Sequence, residues 1–174
     1  MTQEDELLRK NKNGDGTCLD ELVTIYYSDI FRYCLWHTSS RQAAEDATQE
    51  TFLKIIRYFD TYIHHGKFKA YIYKVASNVC VDLWRKKEAE ALPEDLLYIE
   101  AGFEQTEFDV DMIRLVQKLP KEQREIILLR FAQDLSIREI AEVENIPLRT
   151  AQSRLRAALK QIKKSINAGG KKRE

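Results

Sequence analysis

Apolar side chains recur every three or four residues along most of the chain, the spacing that lines one buried stripe of an α-helix. Leu19, Leu22, Val23, Tyr26, Ile30, Tyr33 and Cys34 predict an amphipathic helix over residues 18–37. Ser39 and Ser40 offer N-cap oxygens for a second helix, over residues 41–58, whose apolar side is Ala44, Ala47, Phe52, Ile55, Ile56 and Phe59. Beyond an irregular stretch from Thr61 to Gly66, a third is marked over residues 67–86 by Phe68, Ile72, Val75, Ala76, Val79 and Leu83. Four shorter helices are expected over residues 109–118, 121–132, 136–143 and 148–166. No segment keeps a period of two between turn residues, so no strand is predicted. The pattern lapses over residues 88–109, where Pro93, Gly102 and unopposed negative charge leave room for only a short helical piece around Leu96 to Ile99. The expected fold is all-α: two small helical domains, residues 1–87 and 110–174, joined by an acidic linker, residues 88–109.

Charge sharpens that division. The 174 residues carry no net charge, with 28 basic and 28 acidic side chains, yet the charges are sorted along the chain. Residues 1–87 are almost balanced, with 13 Lys and Arg against 12 Asp and Glu. Residues 88–109 hold 8 acidic side chains and no basic one, and residues 110–174 hold 15 basic against 8 acidic. A basic end beyond a neutral body points to a polyanionic partner for the second domain, although basic tails also serve solubility alone.

Composition excludes several classes. The longest aliphatic run, Ile126-Ile127-Leu128-Leu129, is far short of the ~20 apolar residues of a membrane span, so no direct membrane insertion is expected. An acidic start, Met1-Thr2-Gln3-Glu4-Asp5-Glu6, is unlike a signal peptide. Cys18, Cys34 and Cys80 show no metal-ligand spacing and are odd in number; packed, reduced thiols of a cytoplasmic protein are expected. The neighbouring His64 and His65 lack acidic or Cys ligands at useful spacing, so neither a metal nor a cofactor is expected. No nucleophile–base pair or Gly-rich phosphate loop suggests a catalytic residue, and the chain is read as no enzyme.

Residues 136–160, SIREIAEVENIPLRTAQSRLRAALK, read as a helix-turn-helix. Ser136 and Glu139 have the spacing of a capping box. Asn145 tolerates the positive φ of a tight turn, and Pro147 suits a helix start, where its missing N–H is not needed. Small Ala141 permits a close crossing, and Ile146, Ala151 and Leu155 can plug the second helix onto the first. Arg149, Thr150, Gln152, Ser153, Arg154 and Arg156 are then left exposed or half-exposed, and their side chains suit phosphates and base edges of a major groove. A helical hairpin that merely packs is the plainer alternative.

Two separated segments now carry a resemblance. The stretch Asp46-Ala47-Thr48-Gln49-Glu50-Thr51-Phe52-Leu53 resembles the core-polymerase-binding helix of bacterial sigma factors. Phe68-Lys69-Ala70-Tyr71-Ile72-Tyr73-Lys74-Val75-Ala76-Ser77-Asn78, with Asp82 and Arg85, resembles that family's −10 promoter helix. Leu119-Pro120-Lys121-Glu122-Gln123-Arg124-Glu125, Leu129-Arg130 and the helix-turn-helix are similar to its −35-binding domain. With only an acidic linker between the two domains, the chain is identified as a member of the extracytoplasmic-function subfamily.

The resemblance implies a function: binding core RNA polymerase and directing initiation at promoter DNA through its −35 and −10 elements. By spacing alone, Asp46, Gln49 and Glu50 share one helical face, ordinary for a solvated acidic helix; by resemblance they dock on the polymerase. The implied −10 set is His64, Lys67, Lys69, Tyr71, Lys74, Asn78 and Arg85, with Phe68 assigned to the core. Here basic groups follow phosphates, aromatic rings stack bases, and the Asn78 amide meets a base turned out of the duplex. The implied −35 set is Arg149, Thr150, Gln152, Ser153, Arg154 and Arg156. An anti-sigma factor, membrane-anchored, is implied as the inhibitory partner. Two other readings remain: a two-domain helix-turn-helix repressor or activator acting without polymerase loading, and a small hydrolase with an appended DNA-binding module.

Overall fold

The computed structural model describes residues 3–11, 17–63, 66–89 and 110–170, and among these every regular element is helical. They fall into two compact units. The first holds α1 (Gln3–Asn11), α2 (Thr17–His37), α3 (Arg41–Tyr58), a 3-10 turn (Phe59–Thr61) and α4 (Phe68–Ala89). The second holds α5 (Val110–Gln117), α6 (Lys121–Ile127), a π-helical turn (Leu128–Ala132), α7 (Ile137–Val143) and α8 (Leu148–Gly170).

In the first unit α2, α3 and α4 pack on one another, and α1 packs on α2. The core is aromatic and aliphatic: Ile30, Tyr33, Phe68, Ile72 and Tyr73 are among its largest fully buried side chains. Helix α3 starts where Ser40 caps it, the Ala43 N–H donating to Ser40 Oγ at 3.1 Å. Before α4, Gly66 takes φ 71°, a left-handed conformation that costs glycine nothing. Helix α1 is absent from the sequence expectation because Leu7 and Leu8 are its only apolar residues and show no repeat; both are nevertheless buried. Helix α4 runs to Ala89, into the stretch expected as linker. The suggested short helix around Leu96 to Ile99, like most of the linker, lies outside the described residues.

Two positions depart from the expected core. Ile56, counted on the apolar side of α3, is 46% exposed, because the buried arc of that helix is narrower than its apolar pattern. Tyr73 is fully buried, whereas its neighbour Tyr71 is only half-buried. Burial pushes the Tyr73 phenol far above its ordinary pKa, with a smaller push from the Asp29 carboxylate.

In the second unit α8 is the long helix on which α6 and α7 pack. Ala151, Ala158 and Ile162 on α8 are buried, as are Ile126, Ile127, Leu129 and Ile140. The expected single helix over residues 121–132 breaks into α6 and the π-helical turn, where the Gln133 N–H reaches Leu128 O. Asp134, at φ 53°, follows that turn. The capping box at α7 is complete: Glu139 N–H donates to Ser136 Oγ at 3.3 Å, and Ser136 N–H to Glu139 Oε2 at 2.7 Å. Replacing Ser136 with Ala is expected to destabilise this unit by about 1 kcal/mol, seen as a lower midpoint in urea unfolding.

Candidate nucleic-acid interface

The helix-turn-helix places a solvent-facing helix on a compact base. Helix α7 ends at Val143, Asn145 turns the chain with φ 52°, and the Ile146 N–H donates to Ala141 O at 3.0 Å. The Pro147 carbonyl accepts from Thr150 and Ala151 N–H at 2.9 and 3.1 Å, so proline opens α8 from just outside it. Buried Ala141 and Ala151 allow α7 and α8 to approach closely.

Arg149, Gln152, Ser153 and Arg156 are exposed. At 3.6 residues per turn they span an arc of about 100° on α8, and exposed Lys160 and Lys163 continue the stripe. Arg156 Nε donates to Gln152 O at 3.4 Å, which keeps its guanidinium along this face. Thr150 and Arg154 are half-buried and point elsewhere. Arg154 Nη2 lies 3.1 Å from Glu122 Oε2 on α6. The predicted six therefore separate into four residues on one open stripe and two beside it.

On α4, Tyr71, Lys74, Asn78 and Arg85 fall at intervals of three, four and seven, one row on the helix surface. Lys74, Asn78 and Arg85 are exposed. Lys69 is half-buried and sits about 140° round the axis from Lys74, so the helix does not bring it into that row. Lys67 is exposed just ahead of the helix. His64, predicted for this set, lies outside the described residues. Tyr71 stacks on Tyr62, their ring centroids 4.5 Å apart at 28°, and Tyr62 meets Phe68 edge-on at 5.7 Å. Burial raises the Tyr71 pKa, leaving a neutral ring at the end of the row. By resemblance Tyr62 opens the loop, residues 62–66, that meets the flipped base, but it is not in the predicted residue set, since its irregular stretch has no periodicity to orient it.

The third predicted set, Asp46, Gln49 and Glu50, is exposed on one face of α3. Asp46 Oδ1 accepts from Gln42 Nε2 at 3.2 Å. Leu53, 54% exposed, continues this stripe, with exposed Ile56 beside it. Exposed apolar surface thus lies beside two carboxylates and an amide; Leu53 closes the stretch that carries the resemblance, whereas Ile56 was expected on the buried side.

Cys18, Cys34 and Cys80 are buried free thiols. Cys80 Sγ lies 3.9 Å from Cys34 Sγ, and that hydrogen bond lowers the Cys34 pKa against the opposing push of burial. Among the described residues, no group of three or more His, Cys, Asp or Glu is placed to hold a metal ion. Nor is any described helix long and apolar enough to cross a membrane.

Comparison with known proteins agrees with this architecture. Residues 22–90 match the family described as Sigma-70 region 2, and residues 109–162 match Sigma-70, region 4; together they span well over half of the chain. The extracytoplasmic-function (ECF) RNA polymerase sigma factor SigW of Bacillus subtilis is 25% identical over 91% of this chain and 94% of its own length. SigM of the same organism is 28% identical over 87% of this chain and 96% of its own length. The fold is that of CnrH, solved in complex with the cytosolic domain of CnrY: TM-score 0.70, 17% identity, 93% of this chain and 96% of CnrH covered. It also matches the Bartonella quintana sigma factor RpoE, solved with the anti-sigma factor NepR: TM-score 0.66, 18% identity, 85% and 96% covered. The chain belongs to the sigma-70 family, in its ECF group.

Proposed function

We propose that this sigma factor loads on core RNA polymerase through the α3 face of Asp46, Gln49 and Glu50, with Leu53 at its apolar centre. The α8 stripe enters the −35 major groove, and the α4 row holds the opened −10 strand. The observation that carries the reading is the sorting of polar groups onto three open faces, each on a helix whose other side is core. On α8, Arg149 and Gln152 have the donor and acceptor geometry for guanine and adenine edges, while Lys163 supplies charge to the backbone. On α4, Lys74 and Arg85 follow phosphates, Asn78 offers an amide to an unpaired base, and Tyr71, braced by Tyr62, offers a ring face. The chain itself makes and breaks no covalent bond; the polymerase does.

The proposed domains are residues 1–87 and 110–174, with an acidic tether, residues 88–109, between them, whose first two residues continue α4. The protein works in the cytoplasm, and its inhibitor is an anti-sigma factor, the kind of partner with which the Bartonella relative was solved. Such a partner competes for the α3 face and the α8 stripe, because a sigma factor held there can meet neither polymerase nor promoter.

Substitution separates the two kinds of DNA contact. Arg149→Ala and Gln152→Ala are each expected to alter the dependence of transcription on −35 sequence, at ~1–3 kcal/mol per lost base contact. Lys163→Ala should instead weaken binding almost equally at all promoters and flatten the salt dependence by about one unit of slope. Three variants with the promoter ranking and salt slope of the wild type would place the recognition surface elsewhere.

A further inference from the structure

Arg154 stands apart within the recognition helix. It lies about 140° round the axis from Arg149 and about 160° from Arg156, on the flank of α8 next to the buried residues Ala151 and Ala158. Its side chain is 25% exposed, and its guanidinium meets the Glu122 carboxylate of α6 at 3.1 Å. Two independent observations, angular position and an ion pair to another helix, thus turn it away from the stripe formed by Arg149, Gln152, Ser153 and Arg156. An arginine is the residue most suited to bidentate base contact, so its removal from that set needs a physical reason.

We infer that Glu122 is a positioning residue for −35 recognition, acting through Arg154. The pair ties the first turn of α6 to the second turn of α8. It fixes the rotation of α8 about its own axis, and so the angle at which Gln152 and Ser153 present their polar atoms. It also neutralises a cation that, if released, would add a sequence-independent attraction to phosphate. Sequence discrimination then rests on the four stripe residues, with Arg154 as a brace.

This inference rests on the proposed role of α8 at the −35 element, and the experiment keeps the two apart. Holoenzyme would be assembled from core polymerase and the full chain as wild type, Glu122→Gln, Arg154→Gln and the double variant. Transcription from promoters differing only in the −35 hexamer would be measured across a salt series, alongside thermal unfolding of each chain. The expected result is that each single variant narrows the ratio between best and worst promoter by about two- to fivefold, the range of one exposed or half-exposed ion pair. The double variant should be no worse than either single one, and its unfolding midpoint should be non-additive in the same way. Salt slopes should match the wild type for Arg154→Gln and the double variant, since no phosphate contact is lost, and steepen by up to about 0.9 for Glu122→Gln, where the released cation adds one. Glu122→Asp should recover part of the ratio. The inference is overturned if Arg154→Gln lowers the salt slope by about 0.9 while Glu122→Gln leaves the promoter ratio intact; Arg154 would then touch DNA directly. It is also overturned if unfolding midpoints fall but promoter ratios do not, for that is a purely structural pair. A wild-type holoenzyme indifferent to the −35 hexamer would overturn the proposed function itself, a result distinct from any difference among the variants.

Discussion

Replacing Gln49 with Ala and Glu50 with Arg in one chain is expected to weaken core-polymerase binding by ~2–5 kcal/mol, the cost of breaking a desolvated charge pair across an interface. That is roughly a thirtyfold loss of affinity or more. Both residues are exposed on α3, one turn from Leu53, whose exposed side chain gives the patch an apolar centre. Reversing the charge at Glu50 sets like charges together if the partner surface is basic, so the effect should exceed that of removing the carboxylate. The fold should be untouched, because exposed substitutions away from caps and cores shift stability by only about 0.5 kcal/mol. A pull-down of polymerase subunits, with thermal unfolding of the free chain as control, reads both halves. Unchanged retention of polymerase would sink the assignment of this face.

Truncating Ile140 to Ala should act on the second unit alone, at ~2–5 kcal/mol of stability. Ile140 is fully buried in α7, between the capping box and the turn at Asn145. The seven-residue helix is too short to stand without packing, so the lost methylenes loosen the base on which α8 is set. Against the ~5–15 kcal/mol of a whole domain, that leaves the helix-turn-helix marginal. Urea unfolding should show the loss, and dependence on −35 sequence should fade while polymerase binding through α3 persists. A loss under about 1 kcal/mol would mean that neighbouring side chains close the cavity, and that Ile140 is no keystone.

Periodicity made the fold legible. Helices α2 and α3 run over the expected residues to within one position, and the Ser40 cap and the Ser136–Glu139 box lie where the sequence puts them. Such features are local, set by side chains within a turn of the backbone they satisfy. Helix α1 was illegible because two adjacent leucines carry no period, and only packing against α2 gives them an interior. The candidate faces were legible in outline but not in detail. Tyr71 was expected to meet DNA and Tyr73, two positions on, was given no place; the position of the core leaves the first half-buried and the second fully buried. Arg154 looked like any basic residue of a recognition helix until Glu122, 32 positions earlier, was brought to its side. Long-range pairings of this kind depend on how α6 crosses α8, which no local pattern encodes.

The central claim is that this chain directs polymerase to promoters, and run-off transcription tests it most directly. Purified core polymerase would be supplied with the full chain and a set of genomic fragments. The expected result is discrete transcripts from a subset of fragments, absent without the chain and lost when the −35 or −10 segment of a responding fragment is scrambled. Contradiction would come from the opposite pattern: no transcript that depends on the chain, together with tight binding of the chain alone to palindromic DNA, the behaviour of a repressor or activator that never joins the polymerase.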